Sequence, residues 1–291
     1  MRGWLVVNGF LQSNKFSQLY DFLQSAAAGE GIELSVKTST ELFSALDEGI
    51  CGDNKPDFAL FWDKDYVLAK RLEQEGVALF NSAEAVRICD NKSLTAVALR
   101  GKVCMPKTLI APKTFEGVGY GDGEWLRGAI EALGFPMVVK EACGSFGKQV
   151  YLVESEKELF QLVENMGYKP FLLQEFIAGS RGRDLRINVV GGRVFCAILR
   201  ENTEDFRSNI TGGGVGKAYE PSKAQAELAL TACREIGLDF AGVDVLFGDG
   251  GEPVLCEVNS NPHFKSSIDA TGVDVSEYIM RYVLEKVCKG C

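Results

Sequence analysis

Near the end of the chain, "CEVNSNPHF" (residues 256–264) places Glu257 and Asn259 two residues apart in an apolar stretch. Asn261, Pro262 and the only histidine, His263, follow at once. Side chains at i and i+2 of a strand share a face. A carboxylate and an amide oxygen projecting together from apolar surroundings are costly unless a cation lies between them. A second carboxylate is available upstream. In "GVDVLFGDGGEPVLCEVN", Val243, Val245 and Phe247 alternate with Asp244 and Leu246, and the Gly-rich turn folds the two strands into a hairpin. If Phe247 pairs with Val254, Asp244 lies opposite Glu257 on one face, with Asn259 one step along. Three hard oxygen donors suit Mg²⁺, which takes few protein ligands and fills its octahedron with water and phosphate oxygens. A turn-proximal surface Asp244 and a solvated Glu257 would account for the same residues.

Three further constellations could do chemistry. In "VVKEACGSFGKQVYLVE", Lys140 ends one strand, and a loop with Gly144 and Gly147 leads into the next. Such a loop lets backbone amides approach an anion, although an ordinary hairpin turn would read the same way. In "LLQEFIAGSRGRDLRINVV", Glu175 and Phe176 end a strand, and Asp184 and Arg186 share a face of the following one. The strand edge could read adenine and a carboxylate could take ribose hydroxyls; solvated hairpin charges are the alternative. In "EDFRSNITGGGVGK", Arg207, Ser208 and Asn209 precede Gly212 to Gly214, which suits either a polar linker or a clamp on a phosphoryl group.

The elements that must hold these residues change character along the chain. The first ninety residues alternate strand and helix, which implies a parallel α/β layer. "WLVVNGF", "IELSVKT", "PDFALFW" and "VALFN" read as strands, and "FSQLYDFLQSAAAG" and "YVLAKRLEQEG" as helices. "TSTELFSALDEG" opens with a Thr38/Glu41 capping box, which predicts a helix ending at Gly49. No G-x-G-x-x-G follows the first strand, so a dinucleotide fold is unsupported. From about Asn91 the texture becomes α+β: a helix "NKSLTAVAL", a Gly/Pro-rich linker to Gly123, a capped helix from Ser155, a hairpin turning at Gly191-Gly192, a boxed helix from Ser222, and a last helix from near Val275.

The 291 residues, 46% of them hydrophobic, suit one multilayered enzyme or two to three small domains. With 40 acidic and 31 basic side chains the net charge is −9, which argues against a general nucleic-acid or membrane-surface binder. No apolar run reaches the length of a membrane span, and the opening run is too short for a signal peptide. Nine scattered cysteines read as reduced thiols of a cytoplasmic protein, and the terminal Cys288/Cys291 pair lacks a second pair for zinc.

In this order, the lysine strand, glycine flap, Q-E-F-I hinge, D-x-R, F-R-S-N and D…E-x-N resemble the ATP-grasp superfamily. The likeness is to its RimK-like carboxylate–amine (alpha-L-glutamate) ligases, and it covers about residues 85 to 285. The resemblance implies a mixed α/β and α+β fold. A Rossmann-like pre-ATP-grasp domain would span 1–88, a central lobe with the flap 89–170, and a C-terminal lobe with the metal site 171–291. It puts Lys92 and Ser145 on the nucleotide and Lys140 on its α/β phosphates. Glu175 and Phe176 fall at the adenine, and Asp184 and Arg186 elsewhere in the ATP and substrate site. Arg207, Ser208 and Asn209 fall at the transferring phosphoryl group, with Arg207 and Lys140 as catalytic cations. Asp244, Glu257 and Asn259 become the ligands of Mg²⁺, or Mn²⁺ in its place, with two ions expected.

The activity so implied joins a carboxylate to an amine through an acyl-phosphate, releasing ADP and phosphate. Glutamate, a peptide or a protein terminus are the candidate partners, with neither nucleic acid nor membrane involved; homo-oligomerisation stays open. The alternatives are an ATP-grasp kinase and a non-catalytic ATP-binding module. Where relatives carry glycine after E-V-N-x-x-P, this chain has His263, Phe264 and Lys265. His263 then either touches the acceptor or caps the last helix.

Overall fold

The computed structural model describes residues 1–11, 14–144, 147–210 and 213–289. Ser145 and Gly212 of the two glycine loops, and Cys291 of the terminal pair, lie outside the described residues. The leading sheet is parallel, in the order β2-β1-β3-β4, from β1 (Arg2–Val7), β2 (Glu33–Thr38), β3 (Phe58–Phe61) and β4 (Ala78–Phe80). Its central strands are buried on both faces, as parallel strands flanked by helices are. Helix α1 (Asn14–Gly29) follows β1, and α2 (Tyr66–Gln74) follows β3. The chain therefore leaves β1 toward one side of the sheet and β3 toward the other. This opens a crevice beyond the carboxyl ends of β1 and β3.

The helix expected over residues 38–49 does not form. Its capping box does: Thr38 N donates to Glu41 Oε2 at 2.8 Å and Glu41 N to Thr38 Oγ1 at 3.2 Å. The next turn is claimed from outside, however. Arg71 donates to the carbonyls of Ser44 and Ala45, and Glu75 accepts from the amides of Ile50 and Cys51. Leu42 is buried, but Phe43 and Leu46 stay 88% and 82% exposed, so the segment has no continuous apolar face to bury as a helix.

Helices α3 (Ala83–Asp90) and α4 (Lys92–Leu99) lead to a central antiparallel sheet, β5-β8-β6-β7. Its strands are β5 (Thr108–Ile110), β6 (Met137–Glu141), β7 (Val150–Val153) and β8 (Phe171–Glu175), backed by α5 (Arg127–Leu133) and α6 (Glu156–Met166). The third sheet is antiparallel, β11-β10-β9-β12-β13. It comprises β9 (Arg183–Val190), β10 (Arg193–Glu201), β11 (Val215–Ala218), β12 (Phe240–Phe247) and β13 (Pro253–Asn259). Alternation sorts its faces. Leu185, Ile187, Val189, Val243 and Val245 pack on α7 (Lys223–Ile236), whereas Asp184, Arg186 and Asp244 face the other way. Helix α7 carries the expected Ser222/Gln225 box and stops at Gly237 in a left-handed conformation.

Strand β8 pairs with β6 and completes the central sheet. The segment from residue 83 to 99 joins two cores, Ala83 and Val86 packing with the first sheet and Ala85, Cys89 and Leu99 with the third. Helices α8 (Lys265–Thr271) and α9 (Val275–Lys289) return to the first sheet, where Ile279, Met280 and Val283 of α9 meet Leu19 and Leu23 of α1. Trp62 stacks on Phe240 at 5.1 Å across the same junction. Asn81, fully buried, staples it: its Nδ2 donates to the carbonyls of Phe240 and Ser260, and its Oδ1 accepts from the amides of Asp239 and Phe240. The described cysteines are free thiols, and among the described residues no helix is long and apolar enough to cross a membrane.

Candidate active site

A cleft of about 580 Å³ is walled by the central sheet on one side, the polar face of the third sheet on the other, and the ends of β1 and β3. Every described residue that the sequence singled out for the site lines this one cleft: Lys92, Lys140, Glu175, Phe176, Asp184, Arg186, Arg207, Ser208, Asn209, Asp244, Glu257 and Asn259.

The β12–β13 hairpin sets Asp244 opposite Glu257, and Gly242 opposite Asn259. It reaches that register by a route the sequence did not foretell. At the turn Phe247 pairs with Pro253, not Val254, and a β-bulge between Val245 and Asp244 adds the missing residue on β13. Glu257 is half-buried and has no hydrogen-bond or ion-pair partner among the described residues. Asn259 donates through Nδ2 to the Gly242 carbonyl at 3.4 Å, so its oxygen is the atom left for the cleft. An uncompensated carboxylate beside an amide oxygen fits a hard divalent cation. Among the described residues no three His, Cys, Asp or Glu side chains cluster closely enough to hold a metal.

Asp244 is already engaged. Arg186, directly across from it on β9, grips it through two nitrogens, Nη2 lying 2.9 Å from Oδ2. Arg200 Nη2 reaches the same oxygen at 3.0 Å, and Arg200 holds Asp184 through Nε at 2.7 Å and Nη2 at 2.5 Å. Burial would push the Asp244 carboxyl up; the two guanidinium groups outweigh it and hold Asp244 below the usual carboxylate range. Burial would likewise lower Arg200, yet the carboxylates of Asp184 and Asp244 keep it above its ordinary value. Asp184, expected in the ATP and substrate site, is the partner of Arg200. Arg186 does hold a carboxylate bidentately, but that carboxylate is the protein's own. Two aspartates and two arginines neutralise one another, which leaves Glu257 as the uncompensated charge on this face.

Lys140, 8% exposed on β6, extends from the opposite wall to within 3.9 Å of the Cys256 sulfur. Lys92, at the start of α4, donates to the Gly144 carbonyl at 3.2 Å and so touches the base of the β6–β7 loop. The far arm of that loop is strapped to the third sheet. Arg207 Nη1 donates to the Gly147 carbonyl at 2.6 Å and to the Val150 carbonyl at 3.4 Å. Asp205 fixes the guanidinium, accepting from Nε at 3.0 Å and Nη2 at 2.6 Å, and this hydrogen bonding holds its own carboxyl low. Gly147 has φ +72°, and a Cβ there would lie 2.6 Å from Asn209 Oδ1, so only glycine allows the loop to lie this close. Ser208 is buried, and the chain folds back over it, Gly214 N donating to the Asn209 carbonyl.

The remaining end of the cleft is apolar, with Val138, Phe176, Ile177 and Leu246. Phe176 carries the Arg181 guanidinium 5.7 Å from its ring centroid, and Glu175 accepts from Lys107 N at 2.7 Å. An apolar slot with polar strand-edge groups, two lysines and a half-buried carboxylate could hold a nucleoside triphosphate with its metal. At the opposite end His263 lies edge-on to Phe16 at 6.1 Å, while Phe264 occupies the N-cap of α8. To Asp205 and Cys256 the sequence assigned no role at the site, and Arg200, a cation it left without an assigned role, joins Asp184 to Asp244. Burial pushes the Cys256 thiol up to about 11, so it serves as a packing group beside Lys140.

A family profile for the RimK-like ATP-grasp domain matches residues 91–283. Beta-citrylglutamate synthase B of Danio rerio is 34% identical over 224 residues, which cover 76% of this chain and 54% of that protein. The chain therefore spans about half the length of that relative. The MG012 homolog of Mycoplasma pneumoniae, described as an uncharacterized protein, is 32% identical over 251 residues, covering 85% of this chain and 86% of the other. A crystal structure of a RimK domain ATP-grasp protein from Sphaerobacter thermophilus superimposes with a TM-score of 0.73 at 23% identity, over 98% of this chain and all of that one.

Proposed function

The chain belongs to the RimK-like ATP-grasp family, and from that premise we propose that it is an ATP-dependent carboxylate–amine ligase. The observation that carries the reading is the convergence on one cleft of Lys140 from the central sheet and of the Asp244, Glu257 and Asn259 oxygens from the third. In this reading adenine lies in the apolar slot by Phe176 and Ile177, with Lys92 and Lys140 on the phosphates. Asp244, Glu257 and Asn259 are the side chains that would hold Mg²⁺, whose chemistry is to neutralise phosphate oxygens as charge shifts. Two ions and substitution by Mn²⁺ are part of the same proposal.

The substrate carboxylate takes the γ-phosphoryl group: a carboxylate O–P bond forms and the bond to ADP breaks. The amine nitrogen then attacks the acyl carbon, phosphate leaves with the bonding pair, and the nitrogen gives up a proton. Lys140 and Arg207 supply positive charge to the oxygens on which it accumulates. The β6–β7 loop, strapped by Arg207, keeps water from an intermediate that it would hydrolyse. No covalent nucleophile is needed, which agrees with a Cys256 thiol that stays protonated. Glutamate, as in the name of the Danio rerio relative, is the first substrate to try, with a peptide or protein terminus as the next acceptor.

The test supplies ATP, Mg²⁺, a panel of carboxylic acids led by glutamate, and hydroxylamine as the trapping amine. The expected product is an acyl hydroxamate with one ADP per hydroxamate. Phosphorylated product without hydroxamate would favour the kinase alternative, and ATP binding with no acid-dependent ADP release the non-catalytic module.

A further inference from the structure

We infer that Asp63 is the recognition group for a substrate ammonium, so that one of the two ligase substrates enters as an amino acid or cationic amine. The inference rests on the ligase reading and names what the far end of the same cleft selects.

Asp63 lies two residues past β3 and Asn8 directly past β1, on the two neighbouring strands between which the sheet order reverses. Small ligands bind in that crevice in open α/β sheets. Asp63 lines the cleft there and is only 5% exposed. Its hydrogen bonds come from neutral donors: Asn8 Nδ2 at 3.2 and 3.3 Å and Lys64 N at 2.6 Å. No cationic side chain pairs with it among the described residues. Among the described residues, the lysines lining this end are paired, Lys64 with Asp90 at 2.9 Å and Lys265 with Asp269 at 2.6 Å.

A carboxylate so deeply buried without a cation is costly. The cleft's other deeply buried carboxylates, Asp184 and Asp244, are both arginine-paired. Asp63 therefore stands apart as a preformed negative charge awaiting a positive partner. Asn8 Nδ2 reaches both oxygens and Lys64 N one of them, so neutral donors hold the carboxylate in place without neutralising its charge. The surroundings suit an ammonium group on an organic body. Phe16, Leu19, Tyr20 and Trp62 line the same end, and aromatic faces attract a cation while excluding water. Tyr20 is held above its ordinary pKa by burial and by the Asp63 charge, so its hydroxyl remains a neutral donor.

The ammonium could belong to the carboxylate donor or to the amine acceptor, and two arms of one experiment separate them. In the first, hydroxylamine is the acceptor and the donors are glutamate, its deamino counterpart glutarate, and N-acetylglutamate. In the second, the donor is fixed and the acceptor is each of the common amino acids. Each arm is run with wild type, Asp63→Asn and Asp63→Glu, with the KM for ATP and the melting temperature followed alongside. If the donor carries the ammonium, wild type prefers glutamate over glutarate in kcat/KM by about tenfold or more, the size of a lost charged hydrogen bond. Asp63→Asn then erases that preference. If the acceptor carries it, hydroxamate formation is indifferent to both changes, and Asp63→Asn raises the acceptor KM by a similar factor. Asp63→Glu, which keeps the charge one methylene displaced, retains part of the effect in either case.

Hydroxamate and amide formation that ignore both the ammonium and Asp63 would overturn the inference and leave the ligase reading standing. Absence of hydroxamate with every acid would bring down both.

Discussion

Replacing Arg200 with methionine should unsettle the site more than any exposed charge change. Arg200 is 6% exposed and joins Asp184 to Asp244 through contacts of 2.7, 2.5 and 3.0 Å. Methionine fills much of the volume and removes the charge. Asp244 keeps Arg186, but Asp184 loses its ion-pair partner. Breaking a buried pair by deleting one member costs about 3–5 kcal/mol. At about 2–4 °C per kcal/mol in a chain of this size, the melting temperature should fall by about 6–20 °C.

The pH dependence gives a second reading of the same loss. Asp244 has a depressed folded-state pKa, so its contribution is complete above the ordinary carboxyl range and disappears as pH falls through the depressed value. Arg200→Met removes part of that depression, so acid unfolding should begin at higher pH than in wild type. Urea unfolding near neutrality and acid titration, both followed by tryptophan fluorescence, measure the two effects. The double variant Arg200→Met/Asp184→Asn removes both charges and should recover about 2 kcal/mol of the loss. A single-variant loss under about 1 kcal/mol, or a double variant no better than the single, would refute the network as described.

Three other outcomes are expected. Arg207→Ala releases the Gly147 and Val150 carbonyls, so the β6–β7 loop should be cleaved faster in limited proteolysis, and the KM for ATP should rise by about tenfold; an unchanged cleavage rate would count against the strap. Alkylation near pH 8 should label exposed Cys104 and Cys288 well before Cys256, whose thiol lies about three units above that pH, and ATP turnover should survive; early labelling of Cys256 contradicts this. Asn81→Ala removes four hydrogen bonds at the junction of the first and third sheets and should cost about 3 kcal/mol in chemical unfolding; a loss under about 1 kcal/mol would mean the junction does not depend on it.

The sequence made the site legible where chemistry and alternation coincide. Asp244, Glu257 and Asn259 sit at strand positions whose neighbours are apolar, and Lys140 ends a run of β-branched residues, so both pointed into the cleft they share. Irregular backbone hid the rest. A bulge between Val245 and Asp244 made the register right at Asp244 and Glu257 although the turn pairing was off by one. Another between Val194 and Cys196 brings Arg200 opposite Asp184; a regular hairpin through Gly191-Gly192 would have paired Arg200 with Arg183. The buried ion network was therefore invisible to residue counting. The first lobe failed differently, because the Thr38/Glu41 box is a true local signal that Arg71 and Glu75 override from another element. Helix α3 divides its apolar side chains between two cores, Ala83 and Val86 with the first sheet and Ala85 and Cys89 with the third, and a short apolar segment does not declare which of two adjoining cores it joins.

The central claim is that a substrate carboxylate, not water or a hydroxyl, takes the phosphoryl group in this cleft. Carboxylate-labelled ¹⁸O-glutamate, or whichever acid supports hydroxamate formation, tests it directly by mass analysis of the released phosphate. Transfer through an acyl-phosphate predicts one ¹⁸O atom in each phosphate released with amide, and no labelled phosphate from Glu257→Gln. Amide-forming turnover that releases only unlabelled phosphate would contradict the account.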